Sequence, residues 1–401
     1  LFPMSPSNLA PNPDLLAQFA LWAQQIPGGE TAFTVGLFIL LLSVLVFAHE
    51  LGHYLAARQV GIKVLAFSIG FGRALVKWRD THGTEWKIGW LPLGGYVQML
   101  GQEDLKASTR SRQSGHYMSK SIAQRAWVIV AGPLANVLLG VVVLWGAFLL
   151  GEQRLRAEVG AVLPEMPAAA VLKTGDVVQS LNGTAIAGWE ELLAQISDNT
   201  GTPIALGVQR GGALVQVALT PQVQEHTDLF GDTHTVGRIG IAPSGSLYTV
   251  ERGPVEALLR AMERTYELTA LTVKSLWKLL TGAIGTENLT GPLGIADITG
   301  QTAHSGFYAL LMLTALISIN LCVVNLFPLP VLDGGHLVFL ALEKLRGRPL
   351  GAVAQEWAFR VGLLCIVGLA LLSTFNDVKR FGWVSEEPRA SATPAGTATQ
   401  P

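Results

Sequence analysis

The chain has little charge. Of its 401 residues, 14% are Asp, Glu, Lys or Arg and 50% are hydrophobic, and the mean hydropathy is positive. That scarcity excludes an ordinary soluble globular protein and points to several membrane spans. The net charge of −1 leaves no basic field for a polyanion, so no nucleic-acid partner is expected. Cysteine is almost absent: Cys322 and Cys365 both lie in apolar runs, which excludes a disulfide framework or a thiolate metal cluster. The first 30 residues contain no Lys or Arg, so the basic start of a signal peptide is missing, and the chain opens on Leu1 as a trimmed N-terminus would.

What is present is four apolar runs of the roughly 20 residues a bilayer requires. They cover 32–57, 126–150, 307–327 (continuing through a Pro/Gly-rich segment to 335) and 357–376. The fold class expected is a polytopic α-helical membrane protein with four transmembrane helices, a membrane-associated β region and one small extracytoplasmic α/β domain. The 58–125 connection holds eleven Lys or Arg against four Asp or Glu, and the 343–350 loop adds Lys344, Arg346 and Arg348. Basic loops stay in the cytoplasm, which puts 58–125 inside and both termini, including the segment 1–31, outside.

Within 58–125, "VLAFSIGFG", "ALVKW", "TEWKIGW" and "GGYVQML" are short and β-prone, and they read as a strand meander that dips into the membrane. From 155 to 245 the composition turns soluble, with strand-like runs around one short helix, "WEELLAQIS". Between 253 and 285, Leu259, Met262, Tyr266, Ala270, Val273, Trp277 and Leu280 recur at helical spacing opposite charged residues, as in an amphipathic helix lying on lipid. The tail 385–401 is Pro/Ala/Thr-rich and reads as disordered.

The first apolar run ends in "FAHELGHYLAARQVG". His49 and His53 stand at i and i+4, so one helix face presents both imidazoles to a single Zn²⁺, while Glu50 is placed to act as base rather than ligand. Ionisable groups at the end of a span are costly and mark function. A catalytic zinc site needs a third protein ligand. Nothing soon after His53 supplies it, but "INLCVVNLFPLPVLDGGHL" does. Pro328 and Pro330 break the third apolar run there, Gly334 and Gly335 permit close backbone approach, and Asp333 falls at the same membrane end as the histidines. His336 is the rival ligand.

These residues resemble the site-2 proteases, zinc metalloproteases that cut within the membrane. "HELGH" and "NLFPLPVLDGGH" look like that family's two defining motifs. "FSIGFG", "PLGGYV", "AGPLAN" and "LTGPLGIA" resemble segments of its bacterial members that regulate a sigma factor, in the same order over about 35–380. The resemblance implies one Zn²⁺ per chain held by His49, His53 and Asp333, with Glu50 as catalytic base and acid. It also implies that Asn325 and Asn320 contact the substrate backbone. The stretch "VGAVLPEMPAAAVLKTGDVVQSLNGTAIAGWEEL" resembles a PDZ domain, with room for only one, which would receive a peptide or C-terminus.

The function expected is regulated intramembrane proteolysis of single-span membrane proteins, such as an anti-sigma factor or a remnant signal peptide, in the bacterial inner membrane. The active site would lie toward the cytoplasm and the PDZ domain in the periplasm. A helical substrate hides its carbonyls and must be unwound. An edge of the β region could hold it by strand addition, with Gly70, Gly72, Gly94 and Gly95 allowing close approach. The competing class is a PDZ-bearing scaffold or a zinc transporter, neither of which needs a base between two metal ligands.

Overall fold

The structure, a computed structural model, describes residues 14–102, 114–228 and 231–381. The tail 385–401, residues 1–13 of the N-terminal segment and the polar loop with Glu103 and Asp104 lie outside the described residues. A short helix α1 (Leu15–Gln24) is capped by Asp14, whose carboxylate accepts from Ala17 N. Helix α2 (Gly29–Gln59) carries the HELGH segment in its last turns.

A pair of long strands follows, β1 (Val64–Arg79) and β2 (Glu85–Met99). The four short strand segments are there, but they are joined in pairs through register shifts at glycines with positive φ, Gly70, Gly72 and Gly94, rather than separated by turns. Phe67 faces both Val97 and Trp86, and Ile69 faces both Gly95 and Ile88. The first half of β1 is therefore flanked by two stretches of β2, and this order differs from a simple meander. The tight turn between them is built on Asp80, whose carboxylate accepts from His82 N and Thr84 N and from the side chains of Tyr54 and Trp86. Burial works against its charge, but those donors outweigh it and bring the pKa down to about 2.

Helix α3 (Ile122–Leu149) starts with a capping box: Ser121 Oγ accepts from Gln124 N, and the Gln124 side chain accepts from Ser121 N. Residues 152–250 form the extramembrane domain. Its elements are β3 (Glu152–Leu155), β4 (Val159–Val162), β5 (Val177–Leu181), β6 (Thr184–Ala185), α4 (Trp189–Asp198), β7 (Ile204–Arg210), β8 (Ala213–Leu219), β9 (Gln222–Thr227), β10 (Thr233–Arg238), β11 (Ile241–Pro243) and β12 (Leu247–Val250). A four-stranded sheet of order β6-β5-β7-β8 is joined by three two-stranded ladders, β9/β10, β4/β11 and β3/β12. Trp189, Leu192 and Ile196 of α4 pack on Val178, Leu206 and Val208 to make its core.

Helix α5 (Pro254–Leu280) is amphipathic as expected, but it has a second working face. Ala257, Ala261 and Leu268 pack on Leu144 and Phe148 of α3, while Leu259, Met262, Tyr266, Val273 and Trp277 remain exposed. Small residues allow that close helix contact where lipid removes the hydrophobic drive. The chain ends with α6 (Pro292–His304), α7 (Phe307–Asn325), α8 (Asp333–Arg346) and α9 (Ala352–Arg380). Among the described residues, α2, α3, α7 and α9 are long and apolar enough to cross a membrane.

Candidate metal centre and active site

The LDGG segment stops α7 and starts α8 within eight residues. Pro328 and Pro330 prevent the helix continuing, and Asp333 becomes the first residue of α8. A Cβ at Gly334 would overlap the carbonyl oxygens of Leu326 and Phe327, and one at Gly335 that of Leu329. Without side chains there, the turn folds tightly and aims Asp333 at α2.

His49, His53 and Asp333 converge, although 280 residues separate the second histidine from the aspartate. His49 Nε2 is 3.2 Å from Asp333 Oδ2, His53 Nε2 is 3.5 Å from it, and the two Nε2 atoms are 3.2 Å apart. Three ligands about 2.0–2.1 Å from one tetrahedral ion stand about 3.3–3.4 Å from each other, so the spacing fits zinc. Both histidines are 9% exposed, and Asp333 Oδ2 is buried with no well-aligned hydrogen-bond donor. Three electron-rich atoms turned onto one point are costly unless a cation joins them. His336 packs among Phe339 and Phe359 and is not part of the cluster.

These groups line a cavity of about 730 Å³ together with Glu50, Tyr117, Asn325, His336 and the five consecutive β2 residues Gly95, Tyr96, Val97, Gln98 and Met99. Side chains alternate across a strand, so five consecutive residues on one cavity mean that the cavity lies along the strand's edge. Glu50 stands beside the histidines, receives the Val97 backbone N–H, and packs against Gly95. Gly70, Gly72 and Gly94 do not line this cavity. Asn320 does not either; its Oδ1 accepts from Thr272 Oγ1 of α5 at 2.6 Å.

Two features escaped the sequence reading. Gly132 of "AGPLAN" leaves room for the His53 ring, which any Cβ at 132 would overlap, and Gly52 between the metal-site histidines lets α2 meet the backbone of Ala131. Arg125 at the start of α3 makes a bidentate ion pair with Glu343 of α8, at 3.0 and 2.7 Å, both side chains buried. In the sequence Arg125 is one of the basic residues of the 58–125 connection, and its partner is 218 residues away. A second acidic cluster, Asp228, Asp232 and His234, is already served by Lys274 and Lys278 of α5.

Comparison with known proteins identifies the family of the chain. The model of peptidase family M50 matches residues 37–369. A protein of Agrobacterium fabrum assigned as a zinc metalloprotease is 39% identical over 85% of this chain and 94% of its own length. The regulator of sigma-E protease RseP of Salmonella typhimurium is 31% identical over 86% of this chain and 98% of its own. The PDZ domain of an SdrC-like protein from Listeria innocua, 20% identical with a TM-score of 0.18, covers 22% of this chain and 92% of that one. The chain therefore belongs to peptidase family M50, and its activity is that of an intramembrane zinc metalloprotease.

Proposed function

We propose that His49, His53 and Asp333 hold the zinc ion and that Glu50 is the general base in hydrolysis of single-span membrane proteins. The observation that carries this is the convergence of the three ligand atoms at tetrahedral spacing beside a carboxylate and a strand edge. Zinc bound there supplies Lewis acidity toward a peptide carbonyl and water. Glu50 takes a proton from the attacking water and returns it to the leaving amine. Asn325, at the end of α7, donates to the substrate backbone across the cavity.

The substrate must reach the site unwound, because a helix occupies its own carbonyls. The edge of β2 at 95–99 offers the backbone pairing that replaces them. Gly95 lets β2 itself lie close against Val46 and Glu50 of α2, which brings that edge to the base. The protein is a multi-pass component of the bacterial inner membrane. The basic surplus in 58–125 supports a site opening to the cytoplasm, which leaves the PDZ-like domain at 155–245 and the exposed face of α5 outside. There they would take up a peptide end and screen out substrates with bulky outer domains.

The test compares Glu50→Gln with the parent in detergent micelles, measuring bound zinc and cleavage of a model single-span protein. Zinc held at one per chain with cleavage lost by at least about a hundredfold is expected from loss of a general base. Cleavage at the parental rate would remove Glu50 from the chemistry.

A further inference from the structure

The two histidines are oriented differently, and the difference singles out a residue on α3. His53 Nδ1 faces the backbone carbonyl of Val128 at 2.8 Å. A carbonyl only accepts, so Nδ1 carries the proton and Nε2 keeps the lone pair directed at Asp333 and the site. His49 Nδ1 faces no carbonyl. It meets the carboxamide of Asn136, with Nδ2 at 3.1 Å. Asn136 is fully buried in the apolar middle of α3, and its other end, Oδ1, has no hydrogen-bond partner.

Rotating the carboxamide by 180° exchanges two ends of nearly identical shape. Oδ1 then faces Nδ1 of His49 and gains a donor, while Nδ2 takes the position without a partner, so it is the lone pair required at Nε2 of a metal ligand that selects this arrangement. That arrangement gives His49 the same tautomer as His53, protonated at Nδ1 and free at Nε2. The opposite arrangement puts the proton on Nε2, where a metal must bind. We infer that Asn136 is a positioning residue that presents its amide oxygen to His49 Nδ1 and so fixes the tautomer and ring orientation of this zinc ligand. The inference rests on the zinc reading of the site.

The helix holds Asn136 firmly enough for the role. Its backbone carbonyl accepts from Ser318 Oγ of α7 at 2.8 Å, and both residues are fully buried. Val128 and Asn136 lie about two turns apart on α3 and reach inward to His53 and His49, which are one turn apart on α2. With Gly132 making room for the His53 ring between them, the whole "AGPLAN" segment becomes the cradle of the histidine pair. In metal sites, partners of this kind typically contribute 10–100-fold in affinity.

The experiment measures zinc affinity of the full chain by chelator competition for the parent, Asn136→Leu and Asn136→Asp. Leu keeps the branched four-atom side chain but offers no acceptor, and Asp restores the acceptor. The expected result is a loss of about 10–100-fold in Asn136→Leu and near-parental affinity in Asn136→Asp. Parental affinity in Asn136→Leu, or an equal loss in both variants, overturns the inference and leaves Asn136 a packing residue. A parent that binds no zinc would instead overturn the zinc reading itself. Should Asn136→Leu not fold, neutron diffraction from the zinc-loaded parent decides: amide oxygen toward His49 is expected, and a deuterated amide nitrogen there contradicts it.

Discussion

The extramembrane domain and the membrane half are built inside out from one another. In the domain at 152–250 the core is apolar, with Val178, Leu192, Ile204, Leu206 and Val208 at its centre, and the buried carboxylates Asp176 and Glu152 lie at its margin, paired with Arg210 and Arg252. In the membrane half the outward faces are apolar, and the buried residues include His49, His53, Arg125, Asn136, Thr299, Ser318, Glu343 and Asp377. Lipid is as apolar as leucine, so hydrophobic burial does not choose which helices meet. Polar groups and close backbone approach do that work, and here the same groups that assemble the helices assemble the site.

This contrast is broken most directly at the Arg125–Glu343 pair, which ties α3 to the helix that starts with Asp333. Glu343→Ala leaves a buried guanidinium unpaired and is expected to cost about 3–5 kcal/mol of stability. The double change Arg125→Leu with Glu343→Leu should recover most of it. Thermal unfolding in detergent reads both. If Glu343→Ala melts with the parent, polar pairs do not hold the membrane half together.

A smaller effect is expected at Asp377 near the end of α9. Its carboxylate accepts from Gly291 N at 3.0 Å and Gly294 N at 2.8 Å, capping α6 from a different helix. A Cβ at either glycine would crowd that carboxylate, which explains the glycines of "LTGPLGIA". Asp377→Ala strands two buried N–H groups and should destabilise by about 2 kcal/mol, seen as faster amide exchange at 291–295 than elsewhere in α6. Uniform exchange across α6 would argue that the cap is dispensable.

The smallest effect belongs to the extramembrane domain, where ion pairs decorate an apolar core. Asp176 accepts two hydrogen bonds from Arg210, at 2.8 and 2.7 Å, and that pairing holds its pKa below the usual carboxylate value. A depressed carboxylate stabilises the fold above its unfolded pKa, and the contribution is lost as pH falls through the folded value. The domain should therefore weaken below about pH 4. Arg210→Ala should lower its stability only slightly at neutral pH and flatten that acid dependence, because Arg210 is partly exposed and solvent screens the pair. Urea titrations of the full chain at a series of pH values, followed by amide hydrogen exchange within 152–250, check this; an unchanged acid limb would count against the pair. A core truncation such as Leu206→Ala should cost more than Arg210→Ala, the reverse of the order in the membrane half.

The same contrast explains what was legible in the sequence. The spans, the strand segments and the HELGH face are patterns within one stretch of chain, and the structure contains them. Asp333 was reachable because two prolines and two glycines framed it. Asn136, Gly132, the Arg125–Glu343 pair and Asp377 depend on partners between 79 and 218 residues away in sequence, and local periodicity carries no trace of them. One signal was available. Asn136 is a polar residue in a charge-free apolar run, the same observation that drew attention to His49.

The account stands on the aspartate that joins the two ends of the chain. Zinc content of the purified protein should fall from one ion per chain to near zero in Asp333→Ala and stay at one in His336→Ala. Zinc retained in Asp333→Ala and released in His336→Ala would contradict the site assembled here.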